Sequence, residues 1–480
     1  MNYGWRGFLL LAALLLFGFL FALGTRGLNE PDEGRYANMA GEILEDDGHG
    51  WLDPVLSDIH HYDKPPMIYW VTALSIKAFG YGEAATRLPS VSGAILSLAG
   101  LGWAAWRLYG AKTAWWSLLV CGTMVQFWAL ARWLTPDMFL TGWVTLAIAV
   151  WVECRHRDGS WKWWLASLFC WSMAWWTKAT PSLIPLLGLY VALIVTQDER
   201  GRKALRFPLL LPAIILLGSP WYILMMQEHR DLVHFFFGRE LVGRMAGHVD
   251  GRKGPIYYYL IISLLAWLPW WPWAATAAKC REWRQGWWRR SPELWIVVSG
   301  LAVFSLAASK LPTYTLILAP WAALGMTRLI LPLEERRNLR LALWGTAAVW
   351  MALSLTTALL IVSHESKLGR NSSLREVLTY LQQHGAKKVY ADSYWPSLEV
   401  YFGEEVYYVT KRDLVQTKAD EDVAAESAHF LNTEKFNRLS ATELSGSWLI
   451  HYRKQRLNLH VPSKSPVVIG DFELIPLTAE

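Results

Sequence analysis

Long apolar runs separated by short polar links fill roughly the first three quarters of the chain. A run of about 17–25 mainly apolar residues is long enough to cross a bilayer as a helix. On that criterion spans fall near 7–25, 87–108, 113–131, 138–153, 163–177, 180–196, 207–225, 256–276, 294–308, 313–331 and 342–362. About eleven to thirteen transmembrane helices are expected in all. The first span reads as an uncleaved signal anchor, because its apolar run is long and "FALGT" lacks the small-x-small pattern of a cleavage site.

The pattern changes after Ser363. "SLREVLTYLQQHG" has helical periodicity and ends in a glycine suited to a C-cap, while "KKVYAD", "EEVYYVT", "SWLIHYR" and "PVVIGDFELIPL" read as strands. This predicts a small α/β domain at 363–480 behind a spanning part at 1–362. The domain has no nucleotide-binding glycine motif, so its expected role is a substrate-side cap or a docking module.

The long first link, about 26–86, carries helical patterns of its own. In "NEPDEGRYANMAGEIL" Asn29 can cap a helix whose first turn holds Glu30, Pro31, Asp32 and Glu33, acids that suit the positive end of the helix dipole. Asp32, Arg35 and Tyr36 stand at i, i+3 and i+4 and share a face, and Tyr36, Ala40, Ile43 and Leu44 continue an apolar stripe. That describes an amphipathic helix on a membrane surface. "MIYWVTALSIKAFG" is a second such element, after Pro65 and Pro66, which hold Lys64 in an extended conformation.

Charge sets the orientation. Arg107 and Lys112; Arg155, Arg157 and Lys162; Arg200, Arg202, Lys203 and Arg206; Lys279, Arg281, Arg284, Arg289 and Arg290; and Arg336, Arg337 and Arg340 fall in alternate links. Cytoplasmic links are enriched in Lys and Arg, so these face the cytoplasm and the remaining links face outward. The formal net charge of +6 then belongs to those loops rather than to a nucleic-acid surface. The apolar fraction of 53% against 18% charged excludes an ordinary soluble domain. The 31 tryptophans are expected mainly as an aromatic belt at the interface, with sugar-stacking platforms as the alternative. Four cysteines without a C-x-x-C pair argue against a disulfide framework or a thiolate metal site.

Chemistry is therefore expected outside, where acids and unexplained cations gather. Asp137 follows Arg132 and Pro136 at a helix start, where an acid also suits the dipole. Lys178 follows a tryptophan pair at a helix break, fit for snorkelling or for phosphate. Lys64 can snorkel as well. Lys310 and Tyr314 lie in the tight "SKLPTY" connection. "RELVGRMAGHVDGRKGP" places Arg239, Glu240, Arg244, His248, Arg252 and Lys253 in one basic outer loop, a composition suited to anionic headgroups, with glycines for a gate that orders on binding. His60 and His61 are adjacent and cannot easily converge on one ion.

"PDEGRYA" and "YDKPPMIYW" resemble the first outer loop of the protein O-mannosyltransferase-like, GT-C family of polyprenyl-phosphate-dependent glycosyltransferases, and within it the bacterial branch of lipid A aminoarabinose transferases. "ARWLTPDMFL", "WWTKATPSLIPLL", "GRELVGRMAGH" and "SKLPTYTLILAPWAAL" continue the similarity in order over about residues 1–330. The resemblance implies a GT-C membrane enzyme with amphipathic outer-loop helices. It would move a sugar, such as 4-amino-4-deoxy-L-arabinose, from undecaprenyl phosphate to lipid A or another envelope acceptor on the periplasmic face of the bacterial inner membrane. It implies Asp32 as the catalytic acid/base or acceptor-positioning residue. Arg35, Tyr36, Lys64 and Tyr314 fall near the donor phosphate. Glu33, Asp63, Asp137, Lys178, Glu240, Arg244, His248 and Lys310 are further candidates.

The chain departs from the branch pattern at Asp63-Lys64-Pro65, Lys178-Ala179-Thr180 and Glu240-Leu241. The last of these lacks the histidine on which a zinc site would rest. No cofactor is expected with certainty, a divalent metal being the weakly supported candidate.

The chemistry is coherent. Negative charge grows on a departing lipid phosphate, and preorganised cations stabilise it. A carboxylate within reach of an acceptor hydroxyl can take its proton. Direct displacement with one essential carboxylate implies inversion at the anomeric carbon. The competing readings are a protein O-mannosyltransferase-like enzyme, a polyprenyl-linked sugar flippase or transporter, and a non-catalytic scaffold. Transport sites favour ionisable groups near the bilayer midplane, and the spans here carry almost none.

Overall fold

A computed structural model describes residues 4–45, 49–238, 254–278, 290–363, 374–403, 405–409, 429–431, 433–454, 459 and 465–477. Two compact units emerge: Met1–Phe21 with Leu88–Thr357, and Ala22–Arg87 with Ala358–Glu480. The first outer loop thus packs with the C-terminal residues, whereas the hydropathy pattern groups it with the spans.

The first unit is helical. Each apolar run falls on a helix or on a pair of helices separated by a break. Among the described residues, Glu83–Tyr109, Pro136–His156, Pro312–Glu334 and Arg337–Ile361 are each long and apolar enough to cross a membrane, and three bent pairs raise the number to seven. The bends have local causes. Pro269 lacks the N–H that would join Tyr258–Ala266 to Trp270–Ala277, and this pair turns by 102°. Ala111–Gly122 and Val125–Ala131 meet at 70°; there the Thr123 hydroxyl donates to the Leu119 carbonyl at 2.5 Å and the Trp270 indole donates to the Thr123 hydroxyl at 2.9 Å. Trp5–Leu20, Ala179–Val195 and Pro292–Leu306 are shorter apolar helices.

Close backbone approach needs small residues in such a bundle. A Cβ on Gly93 would lie 2.6 Å from Phe139 Cα, so glycine there lets Glu83–Tyr109 touch Pro136–His156. The tryptophans divide. Trp5, Trp106 and Trp161 are exposed, as a belt requires, but Trp116, Trp171, Trp221, Trp270 and Trp321 are fully buried. Their ring area fills space between helices. Several of the cations assigned to cytoplasmic links are paired, Arg107 and Arg157 with Glu153 at 2.8 and 2.5 Å, Lys112 with Glu334 at 2.7 Å and Arg155 with Asp198 at 2.6 Å.

In the second unit, β3 (Lys388–Ala391), β4 (Val406–Tyr408), β5 (Ser447–Tyr452), β6 (Val467–Ile469) and β7 (Phe472–Leu477) form one sheet in the order β4-β3-β5-β7-β6. β3 runs parallel to β4 and β5, and β7 runs antiparallel to β5 and β6. Tyr390, Leu449, Ile475 and Leu477 bury one face with Phe436 and Leu444. The strands follow the patterned segments, with "PVVIGDFELIPL" folding back on itself between β6 and β7. The helix Arg375–Gln383 occupies the periodic stretch before them. In the same unit the first loop contributes the helices Asp32–Glu45 and Met67–Phe79 and a short hairpin, β1 (Val55–Leu56) with β2 (Ile59–His60).

Candidate active site

The helix Asp32–Glu45 begins two residues after Glu30, where the sequence opens its first turn, and the Asn29 carbonyl accepts from the Glu33 and Gly34 backbone N–H groups at 3.1 and 3.3 Å. The Glu33 carboxylate turns back to accept from the Asn29 backbone N–H at 2.9 Å. Glu33 is fully buried. It accepts from Arg87 Nε at 2.8 Å and Nη2 at 2.9 Å, and from Arg26 at 2.9 Å. Arg87 in turn donates to the carbonyls of Leu23, Arg26 and Gly27 at 2.6–2.7 Å. The second acid of the motif therefore closes a clamp between the ends of its loop.

Asp32, one residue earlier, is exposed at the first turn. Arg35 lies on the same face, half-buried, 3.7 Å from Asp63. Burial works against its charge, but Asp63 and Asp32 more than offset it, and the guanidinium pKa is raised. Among the described residues its Nε has no hydrogen-bond partner. Lys64 Nζ lies 4.0 Å from the same Asp63 carboxylate and donates to the Asp63 carbonyl at 2.8 Å. His61 Nε2 is 3.8 Å away from it. Tyr36 is buried, its ring 5.8 Å from that of Tyr69. Arg35, Asp63 and Lys64 thus form a loose cluster of partly open side chains whose ion pairs are longer than hydrogen bonds, and Asp32 acts electrostatically on Arg35.

His60 and His61 diverge, as adjacent residues must. His60 Nδ1 pairs with Asp53 at 3.0 Å, and Tyr62 donates to the same carboxylate at 2.8 Å.

A second group lies in the helical unit. Lys178 has an extended backbone between Trp161–Thr177 and Ala179–Val195, so the helix break aims its side chain across the bundle. Its Nζ is 2.7 Å from Asp137 and 4.9 Å from the Tyr314 ring centre. Asp137, Lys178, Phe304, Thr313 and Tyr314 line a cavity of about 10 Å³, room for about one water molecule. Lys310 turns elsewhere. Its ammonium donates to the carbonyls of Phe304 and Ser305 at 3.1 and 2.7 Å, capping the end of Pro292–Leu306, and burial lowers its pKa. Glu240, Arg244 and His248 lie outside the described residues, as do Arg239, Arg252 and Lys253.

Sequence reasoning missed Arg87, which reads as an ordinary cation four residues after Glu83. It also missed the buried acids Glu30 and Glu399. Glu30 accepts from the Ser397 backbone N–H at 2.9 Å, and burial pushes its pKa up to about 7. Only a partner more than 360 positions away distinguishes it from the other acids of its turn.

Residues 63–223 match the family model described as dolichyl-phosphate-mannose-protein mannosyltransferase. The chain is 31% identical to an undecaprenyl phosphate-alpha-4-amino-4-deoxy-L-arabinose arabinosyl transferase of Yersinia enterocolitica, over 65% of this chain and 56% of that one. A protein of the same name from Pectobacterium carotovorum is 30% identical, over 72% of this chain and 64% of its own length. The chain spans less than two thirds of the length of either relative. The fold is similar to that of ArnT from Cupriavidus metallidurans, solved bound to undecaprenyl phosphate, with a TM-score of 0.78 at 20% identity and full coverage of both chains. The architecture is thus the polytopic GT-C membrane fold with a small sheet domain.

Proposed function

From the match of residues 63–223 to the dolichyl-phosphate-mannose-protein mannosyltransferase model and the likeness to the arabinosyl transferases, we propose that the chain is a member of that family and transfers a sugar from a polyprenyl phosphate to an envelope acceptor on the periplasmic face of the inner membrane. The names of its relatives support undecaprenyl phosphate-4-amino-4-deoxy-L-arabinose as donor. Lipid A is the acceptor that fits this donor.

The observation that carries the reading is an exposed carboxylate, Asp32, on the same helix face as Arg35, which shares the Asp63 carboxylate with Lys64. Arg35 and Lys64 hold the donor phosphate, the guanidinium as a planar fork and the ammonium as a compact charge. As the glycosidic bond breaks, its electrons pass to the phosphate oxygen, and the two cations stabilise the charge that develops. Asp32 takes the proton of an acceptor hydroxyl, or orients a phosphate acceptor that needs no deprotonation. Attack from the face opposite the leaving phosphate inverts the anomeric carbon. In the helical unit, considered by itself, Lys178 is held by Asp137 beside the Tyr314 ring.

The test is direct. Purified protein with undecaprenyl phosphate-aminoarabinose and lipid A should yield aminoarabinose-modified lipid A by mass spectrometry, with free undecaprenyl phosphate appearing in equal amount. Intact donor moved across a vesicle membrane without bond cleavage would replace the reading with a flippase.

A further inference from the structure

The short helix Ser397–Phe402 packs on the first turns of Asp32–Glu45, and its bonds are specific. Glu399 accepts from Asn38 Nδ2 at 2.6 Å, on the candidate catalytic helix, and from the Ser57 hydroxyl at 2.6 Å, in the turn between β1 and β2. Asn38 and Ser57 are both buried. The β2 strand leads within four residues to Asp63 and Lys64, so one carboxylate ties together the two segments whose charges meet around Asp63.

The neighbouring contacts repeat the tie. Ser397 N–H donates to Glu30, and the Tyr401 hydroxyl accepts from the Leu28 N–H at 2.9 Å. Gly34 gives an independent sign of how close the docking is. A Cβ there would lie 2.7 Å from the Ser397 nitrogen and 2.9 Å from a Glu30 oxygen, so the motif glycine is the residue that lets the two helices meet.

We infer that Glu399, in the C-terminal segment, is a positioning residue for the transfer reaction, acting through Asn38 and Ser57 to set Asp32 and Arg35 against Lys64. The inference rests on the reading of that outer-loop helix as the reaction site. A buried carboxylate bonded to two segments transmits position well because a shift of either leaves a costly unpaired group. Tyr394, bonded to Ser57 at 3.0 Å, extends the network, and His429, Glu42, Tyr81 and Tyr408 are further titratable groups that interact with Glu399. The C-terminal domain is thereby part of the catalytic apparatus without touching substrate.

Amide exchange and transfer kinetics on the full-length protein test this together. In Glu399→Ala, exchange across Asp32–Glu45 should rise about tenfold while β3, β5 and β7 keep their protection. At saturating donor, kcat should fall about 10²-fold, the scale of an ångström-sized misplacement. Gly34→Ala should do the same without removing a charge.

The decisive variant combines Asn38→Asp with Glu399→Gln. It reverses donor and acceptor: the new carboxylate on the outer-loop helix accepts from the new amide on the C-terminal segment, and the oxygen of that amide still accepts from Ser57. Recovery of exchange protection and kcat in the double variant, against loss in Asn38→Asp alone, supports positioning. Unchanged exchange across Asp32–Glu45 in Glu399→Ala overturns it, as does exchange that rises equally in the strands. A wild-type protein that transfers no sugar overturns the transferase reading instead, and the exchange results still judge the brace.

Discussion

Two carboxylates thirty residues apart, Glu33 and Asp63, each gather cations, and they do so in opposite ways. Glu33 is fully buried with two arginines at 2.8–2.9 Å, and Arg87 spends its remaining donors on three backbone carbonyls. Asp63 is partly open, with Arg35, His61 and Lys64 at 3.7–4.0 Å. The first arrangement is saturated and can only hold the chain together. The second is partly open to solvent, and its ion pairs are longer than hydrogen bonds, so its cations are not locked into the fold in the same way. Residue charge is the same in both; distance and burial separate the two.

The strongest way to break this comparison is Asp32→Asn. On the proposed mechanism it lowers kcat by about 10²–10⁴-fold, the range of general acid–base catalysis, while expression and melting temperature stay at wild-type levels. Full activity in this variant would remove Asp32 from the reaction.

Glu33→Ala should do the reverse, costing about 3–5 kcal/mol of stability because Arg87 is left buried without its counter-charge. A chemical or thermal melt reads the loss, and an unaltered melt would mean that the clamp is not what holds the loop.

Glu30 sharpens the same contrast through pH. Its folded-state pKa is raised from 4.5 to about 7 by burial, so its protonated form favours the fold below about pH 4.5, and that contribution is lost as pH rises through 7. Across that window the wild-type protein should lose about 3 kcal/mol, and Glu30→Gln, which keeps an acceptor for Ser397, should flatten the profile. Parallel profiles for the two proteins would show that Glu30 titrates normally.

Asp63→Asn is expected to be the mildest. A partly exposed pair of this kind contributes about 0.2–1 kcal/mol, so the melt should barely move. Its effect should appear instead in the KM for donor, because Arg35 and Lys64 lose the group that spaces them. A melt shifted as far as that of Glu33→Ala would erase the distinction between the two carboxylates.

Much of this was legible in the chain. Apolar runs located the helices, because a span must satisfy its backbone internally over a fixed bilayer thickness and therefore writes a long, one-dimensional signal. Spacing put Asp32, Arg35 and Tyr36 on one helical face, because i, i+3 and i+4 are neighbours whatever the rest of the fold does. The C-terminal strands were legible from local pattern as well.

What the folded chain alone decided is which of these groups is used up. Glu33 and Asp32 are adjacent acids in one turn, and only Arg87 and Arg26 divert the first of them into the interior. Lys310 and Tyr314 stand in one connection, yet the lysine caps a helix while the tyrosine faces Lys178. Glu399 lies 361 positions from Asn38 and has no local mark of its role. Helical and strand periodicity follow from backbone geometry and can be read residue by residue. The pairing of charges depends on distance and desolvation between remote segments, and only the folded chain supplies those.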